Sequence, residues 1–200
     1  MGDLIGVLGG TFDPPHLAHL ILADEARYVL GLKRVLWVVT AQPPHKLNQS
    51  ISSVDHRVAM VKLVTDIDPA FEFSTADLDR PPPHYAHGTM EWLRMRYPDK
   101  KFAYLMGEDS LRDLPAWNMP QRFVDSCDLI GVMDRLAVEY EVDRLEEALP
   151  GLKDRLVFLD VPPIMISGRE IRSRVRQGRP FRYLMPSAVS DYVFEQGLYS

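Results

Sequence analysis

The chain has 200 residues, 46% of them hydrophobic and 26% charged, a length and balance that predict one globular domain spanning residues 1–200. Its formal net charge of −5 argues against a protein that coats nucleic acid or an anionic membrane, and no uncharged apolar run reaches the roughly 20 residues that span a bilayer. Cys127 is the only cysteine, which excludes an internal disulfide and favours a reducing, cytoplasmic compartment.

Short apolar runs, rich in β-branched residues, alternate with amphipathic segments along the chain. The apolar runs predict six strands, at 4–8, 35–39, 71–74, 101–106, 129–133 and 156–161. The amphipathic segments predict helices at 17–30, 54–65, 89–96, 142–149, 171–177 and 188–196, with a helical or irregular stretch at 111–125. Gly31 marks the end of the first helix, and Ser53 the beginning of the second. This alternation predicts an α/β fold, a doubly wound Rossmann-like parallel sheet with helices on both faces.

A glycine-rich segment joins the first predicted strand to the first helix. It reads Gly-Gly-Thr-Phe-Asp-Pro-Pro-His from Gly9 to His16, and His19 follows it. Two glycines let the backbone turn and approach a ligand closely, and the amino terminus of the next helix favours phosphate. His16 and His19 are three residues apart, so both imidazoles can lie on one side of the first turn and donate to a phosphoryl oxygen. Because no third ligand joins them, we predict no protein-held metal site here.

A second motif begins the helix that follows the last predicted strand. Ser167 and Glu170 have the S-x-x-E spacing of a capping box, which predicts where this helix starts. Arg169, Arg172 and Arg176 follow at spacings that place them on one helix face. Such a face either delivers guanidinium groups to polyphosphate or forms a solvated basic surface, and the spacing alone leaves both interpretations open.

The segment from Gly9 to His16, followed by His19, resembles the opening of the nicotinate-nucleotide adenylyltransferases, which belong to the nucleotidyltransferases with an H-x-G-H signature. Ala18 stands at the glycine of that signature. The resemblance covers essentially the whole chain, and the segment at 166–172 is similar to the family's I-S-S-T-x-I-R motif, with Gly168 and Arg169 in place of Ser and Thr. It implies transfer of the adenylyl group of ATP, with Mg²⁺, to nicotinate mononucleotide, giving nicotinate adenine dinucleotide and pyrophosphate in NAD biosynthesis.

Other loops also resemble family segments. Residues 107–109 are similar to a G-x-D segment near the nucleotide, residues 114–117 to a segment around the pyridine ring, and residues 44–46 to a substrate loop. Residues 84–89 are similar to an S-Y-T-x-D-T segment that recognises the nicotinate carboxylate, with Ala86 and Gly88 replacing Thr and Asp. The resemblance therefore implies catalytic roles for His16, His19 and Arg172; ATP contacts from Gly9, Gly10, Thr11, Phe12, His16, His19, Gly107, Asp109, Ser167 and Arg172; and substrate contacts from Lys46, Tyr85, Thr89 and Trp117.

Several alternatives stay open at the level of sequence. Asp109 also suits the first turn of a helix, Trp117 a packing position and Lys46 a solvated loop. The same reaction could use nicotinamide mononucleotide or phosphopantetheine, although Trp117, Tyr85 and Lys46 favour a pyridine nucleotide. A catalytically weak relative that only binds nucleotide would explain the departures from the family motifs, but both histidines and Arg172 are retained. The expected partners are ATP and a mononucleotide, and the sequence leaves open whether the chain forms a homo-oligomer.

Overall fold

A computed structural model describes residues 3–43, 51–133, 142–161 and 164–200. These residues form a six-stranded sheet from β1 (Leu4–Gly10), β2 (Arg34–Val39), β3 (Phe71–Ser74), β4 (Lys101–Gly107), β5 (Leu129–Met133) and β6 (Leu156–Leu159). All neighbouring strands are parallel, and their order is β3-β2-β1-β4-β5-β6. The direction of winding therefore reverses between β1 and β4, which is the topological switch point of a Rossmann-like sheet.

Eight α-helices of the described chain cover the sheet: α1 (Leu17–Leu30), α2 (Val54–Thr65), α3 (Ala86–Arg96), α4 (Glu108–Asp113), α5 (Pro120–Ser126), α6 (Val142–Ala148), α7 (Gly168–Arg176) and α8 (Ser187–Glu195). Two separate clusters of buried side chains define the two faces of the sheet. One contains residues of α1, α2, α7 and α8, which we call the α1 face, and the other contains residues of α3 to α6, which we call the α3 face. The predicted α/β fold with helices on both faces is therefore confirmed. In these ranges, no helix is long and apolar enough to cross a membrane.

The side chains of β1 and β4 alternate between the two faces. Val7 and Tyr104, which are paired in register, belong to the cluster on the α3 face, whereas Leu8 and Leu105 belong to the α1 face. Because the period of a strand is two residues, Gly9 follows Val7 on the α3 face. Successive residues at the end of β1 thus face the two layers of helices in turn. The residues that follow β1 can therefore line a cavity between these layers.

The local signals in the sequence set most helix ends. Gly31 adopts φ 63° at the end of α1, and the Ser53 hydroxyl accepts a hydrogen bond from the His56 amide at 3.3 Å. The stretch predicted as helical or irregular divides into α4, a 3₁₀ turn and α5, which begins at Pro120. Proline suits the first turn of a helix because no intrahelical bond needs its missing N–H.

Candidate active site

A cavity of about 990 Å³ lies at the carboxyl ends of β1 and β4, where the winding reverses. Ligands of open α/β sheets bind at this place, and the volume suits a cofactor-sized molecule. One side is lined by predicted ATP-contacting residues, Gly9, Gly10, Thr11 and His19. The other side is lined by Tyr85, Thr89, Gly107 and Trp117. The structure thus brings residues of the glycine-rich segment and of the predicted substrate loops to one cavity.

The two histidines form a stacked pair at the beginning of α1. Their ring centroids are 3.8 Å apart, and the His16 amide donates a hydrogen bond to His19 Nδ1 at 3.1 Å. The accepting Nδ1 places the proton of neutral His19 on Nε2, and His19 lines the cavity. The His16 side chain is only 7% exposed, and burial lowers its pKa to about 4, so its ring is neutral at physiological pH.

The segment from Gly9 to His16, which we call the nucleotide loop, turns around the buried side chain of Phe12. Phe12 has φ 50°, in the left-handed region that side chains rarely adopt, and its ring meets His19 edge-on at 5.1 Å. A Cβ on Gly10 would approach the Phe12 ring at 3.1 Å, so a larger residue would crowd it. Neither Phe12 nor His16, both predicted ATP contacts, is among the described residues that line the cavity, and the Phe12 ring instead packs against the His19 ring.

Arg57 of α2 holds the nucleotide loop from inside the protein. Its side chain is 1% exposed and donates hydrogen bonds to four backbone carbonyl oxygens, at 2.8–3.1 Å: those of Thr11, Thr40, Ala41 and Ser52. Burial lowers the pKa of Arg57, and the nearby Asp13 carboxylate opposes that shift. One guanidinium group thus fixes the loops that follow β1 and β2.

Asp13 and α7 meet at the far end of the nucleotide loop. The carbonyl oxygen of Asp13 accepts a hydrogen bond from Arg172 Nη1 at 2.6 Å, and its carboxylate accepts from the Tyr199 hydroxyl at 2.8 Å. The Ser167 hydroxyl caps α7 by accepting from the Glu170 amide at 3.2 Å, as the capping spacing predicts. The Glu170 carboxylate pairs instead with Arg174 at 2.8 Å. Arg172 therefore lies beside the nucleotide loop, but neither it nor Ser167 is among the described residues that line the cavity.

A buried polar network supports the opposite side of the cavity. The Thr89 hydroxyl donates to Asp77 Oδ1 at 2.6 Å, and Arg80 Nη2 donates to the same oxygen at 2.7 Å. This network ties the first turn of α3 to the loop that follows β3. Trp117 packs its indole against Phe123 at 5.1 Å and still lines the cavity, so its predicted packing and ligand-binding positions coincide.

A family model described as cytidylyltransferase-like matches residues 7–174. A probable nicotinate-nucleotide adenylyltransferase of Thermomicrobium roseum is 40% identical over 195 residues, covering 98% of this chain and 91% of that protein. The chain belongs to the nicotinate-nucleotide adenylyltransferase family. A relative of the same name from Roseiflexus sp. is 38% identical, covering 98% of this chain and 97% of that protein. The Plasmodium falciparum nicotinic acid mononucleotide adenylyltransferase complexed with NaAD has the same fold, with a TM-score of 0.80 at 16% identity over 98% of this chain and 97% of that chain.

One of the departures from the family motifs, at Gly168, has a steric reason in this structure. A Cβ on Gly168 would lie 2.9 Å from the Asp13 carbonyl oxygen, so the serine of the family motif would displace α7 from the nucleotide loop. A Cβ on Gly88 would lie 2.6 Å from Arg80 Nη1, but that atom is the end of a flexible side chain that can move aside, so sterics do not explain the absence of the family's aspartate. Ala18 is buried in α1 and is not among the described residues that line the cavity.

Some predicted site residues lie elsewhere. The Asp109 side chain is 97% exposed and lies 3.5 Å from Arg112, so it suits the first turn of α4 rather than the cavity wall. Ser110 and Asp113 of the same helix line the cavity instead. Lys46 lies outside the described residues.

Sequence reasoning missed the residues that hold the site together. Arg57 had a signal, because it shares the spacing of Met60, Val61 and Val64, the apolar stripe that α2 buries. A charge on an apolar stripe indicates a buried polar role. Tyr104 had no such signal, because a tyrosine in an apolar strand reads as an ordinary core residue.

Proposed function

We propose that this protein transfers the adenylyl group of ATP to nicotinate mononucleotide, giving nicotinate adenine dinucleotide and pyrophosphate in NAD biosynthesis, and that residues 1–200 form one nucleotidyltransferase domain. One observation carries the proposal: a single cavity at the switch point has His19 and the nucleotide loop on one side and Trp117 with the start of α3 on the other. The single cysteine supports a reducing, cytoplasmic setting for this reaction.

The reaction needs positioning and charge stabilisation more than a protein nucleophile. The phosphate of the mononucleotide, already anionic, attacks the α-phosphorus of ATP in line, and pyrophosphate leaves with the bonding electrons. His19 donates from Nε2 to a phosphoryl oxygen as its negative charge grows, while the His16 amide fixes the ring. Arg172 and Ser167 lie beside the loop but outside the cavity lining, so the role of the Arg172 guanidinium on the leaving pyrophosphate requires that group to extend past the cavity toward α7.

The triphosphate lies, on this proposal, along the nucleotide loop and the amino terminus of α1. That terminus has no acidic residue in its first turn, so the positive end of the helix dipole favours an anion there. ATP enters as its Mg²⁺ complex, in which phosphate oxygens and water hold the metal. The described residues include no cluster of three acidic, histidine or cysteine side chains that could hold a metal ion.

The acid form of the acceptor is favoured by the start of α3. Tyr85, Ala86 and Thr89 line the cavity, and the first turn of α3 also lacks an acidic residue. A helix amino terminus stabilises a carboxylate more than a neutral amide, so nicotinate mononucleotide should be preferred to nicotinamide mononucleotide. Trp117 offers a flat aromatic surface for the pyridine ring of either one.

A pyrophosphate-release assay tests the proposal. Purified protein receives ATP and Mg²⁺ with nicotinate mononucleotide, nicotinamide mononucleotide or phosphopantetheine in turn, and the acid mononucleotide should give the highest kcat/KM. Higher kcat/KM with another acceptor would refute the assigned substrate. Measurable ATP binding without release from any acceptor would instead support the nucleotide-binding relative.

The role of His19 is tested in the same assay. His19→Ala removes the donor to the reacting phosphate and should lower kcat by about 10²–10³-fold. The matched control is His56→Ala, because His56 lies on α2 and hydrogen-bonds to Tyr192 outside the cavity. Near-normal turnover of His19→Ala would show that this imidazole does not act on the phosphate.

A further inference from the structure

Tyr104 is a cavity residue that the family motifs do not include. It lies in the middle of β4 on the α3 face, is 7% exposed, and contributes to the cavity wall. Its ring is held edge-on by Phe123, at 4.9 Å between centroids, and by Trp117, at 6.4 Å. The ring is therefore fixed by packing on two sides, and its hydroxyl is a polar group at a defined position.

The hydroxyl extends over the end of β1. A Cβ on Gly9 would lie 2.6 Å from the Tyr104 hydroxyl oxygen, so only glycine leaves room for it there. In the described part of the chain, no residue forms a hydrogen bond with this hydroxyl. The hydroxyl is accessible from the cavity rather than sealed in the core, so a ligand that enters the cavity can accept a hydrogen bond from it. Burial, with a smaller contribution from the Asp77 charge, raises the pKa of Tyr104, so the group stays protonated and able to donate.

The position of the Tyr104 hydroxyl determines which part of the mononucleotide it can reach. Gly9 begins the nucleotide loop, where the reacting phosphates lie in the proposed function, and Trp117 stacks on the pyridine ring. Tyr104 lies between them, because it approaches the Gly9 backbone and also contacts the Trp117 ring. In a mononucleotide, the group between the phosphate and the base is the ribose.

We propose that the Tyr104 hydroxyl donates a hydrogen bond to an oxygen of the ribose 5′-phosphate portion of the mononucleotide acceptor, and so contributes to binding of the acceptor. This inference rests on the proposed function, because it takes the acceptor to lie between Gly9 and Trp117. It predicts that the hydroxyl contributes to acceptor binding more than to ATP binding, because the Tyr104 ring packs against Trp117, the proposed surface for the pyridine ring, whereas His19 lies on the α1 side of the sheet. If Tyr104 only filled the core, its replacement by phenylalanine would leave KM for the acceptor unchanged.

Tyr104→Phe removes the hydroxyl and keeps the ring between Phe123 and Trp117. We expect KM for nicotinate mononucleotide to rise about tenfold, the loss typical of one good hydrogen bond to a charged or polar ligand, while KM for ATP stays within twofold. Tyr97→Phe is the matched control, because the Tyr97 ring lies under Arg34, away from this cavity, and should leave both constants unchanged. An unchanged acceptor KM in Tyr104→Phe would overturn the inference.

Acceptor analogues identify the bonded oxygen. If a ribose hydroxyl accepts the bond, the tenfold difference between wild type and Tyr104→Phe disappears with the corresponding 2′-deoxy or 3′-deoxy mononucleotide. If the difference persists with both, the acceptor is a phosphate oxygen or the ring oxygen of the ribose, and a difference that vanished only when the pyridine ring was altered would contradict the assigned position.

Failure of this inference can be told apart from failure of the proposed function. A wild-type enzyme that turns over nicotinate mononucleotide, beside a Tyr104→Phe variant with the same acceptor KM, would refute only the role of Tyr104. If the wild type released no pyrophosphate, calorimetric titration of both proteins with the mononucleotide would test the hydroxyl separately. Equal dissociation constants there would refute the inference as well.

Discussion

Replacing Arg57 with methionine should destabilise the protein more than any other substitution of a single arginine described above. Methionine keeps much of the length and apolar stem of the side chain but leaves four backbone carbonyl oxygens without their donors, those of Thr11, Thr40, Ala41 and Ser52. These oxygens belong to the loops that form one wall of the cavity. The substitution therefore tests whether one buried guanidinium holds that wall in place.

The expected loss follows from the four bonds. A hydrogen bond to a charged group contributes about 1.5–3 kcal/mol, but water can reach some of the released carbonyls, and the cost of burying the guanidinium also disappears. We expect a net loss of about 3–4 kcal/mol, in the range for removing one partner of a buried charged group. Globular domains are stable by roughly 5–15 kcal/mol, so this loss is a large share of the total but smaller than it. The variant should therefore still fold at 25 °C.

Urea unfolding followed by tryptophan fluorescence measures the loss. With a slope of about 2–3 kcal/mol per molar urea, the midpoint of Arg57→Met should fall by about 1.5 M. Arg176→Met is the matched control, because Arg176 is exposed on α7 and its replacement should change the midpoint little. A midpoint for Arg57→Met within about 0.4 M of wild type would mean that the four hydrogen bonds contribute far less than the structure indicates.

Three further predictions follow from burial and close contact. Burial lowers the pKa of His16 to about 4, so below about pH 6.5 the unfolded chain binds a proton that the native state does not. The free energy of unfolding should therefore fall by about 3 kcal/mol between pH 6.5 and 4. A His16→Asn variant that kept the full pH dependence would refute this. Gly168→Ala should raise KM for ATP several-fold by moving α7 away from the Asp13 carbonyl, and steady-state kinetics with an unchanged KM would contradict it. Burial raises the pKa of Cys127 to about 12, so a disulfide reagent at pH 8 should label the thiol only after unfolding in urea, and rapid labelling of the native protein would be the contrary result.

The fold was readable from the sequence because its signals are local. Apolar runs four to seven residues long mark the strands, and the predicted bounds of α1 and α2 agree with the structure. Two of the boundaries that differ lack such a local signal, whereas α7 begins at Gly168, three residues before the predicted start, although Ser167 caps it. The last strand ends at Leu159 rather than at residue 161, and α3 begins at Ala86, three residues earlier than predicted. No N-cap side chain marks that beginning, since Tyr85 forms no capping hydrogen bond.

The site was only partly readable, for a related reason. His16 and His19 are neighbours on one helical turn, so their pairing follows from spacing alone. Arg57 and Thr11 are 46 residues apart, Asp77 bonds to Thr89 of α3, and Tyr104 of β4 lies against Gly9 of β1. Such contacts depend on strand order and on which face each strand presents. The sequence motif therefore indicated the chemistry, while the supporting network required coordinates.

The bonds of Asp13 have a consequence for how the protein matures. Its backbone and carboxylate bind Ser52, Arg172 and Tyr199, which lie 39, 159 and 186 residues further along the chain. Contacts of such high sequence separation form late, because the intervening chain must first be ordered. During synthesis the nucleotide loop leaves the ribosome early, yet it reaches its final shape only after the segment carrying Arg172 and Tyr199 has emerged and docked. Nucleotide affinity should therefore report the completion of the whole fold, and a nascent chain that ends before α7 should lack it even with β1 and α1 in place.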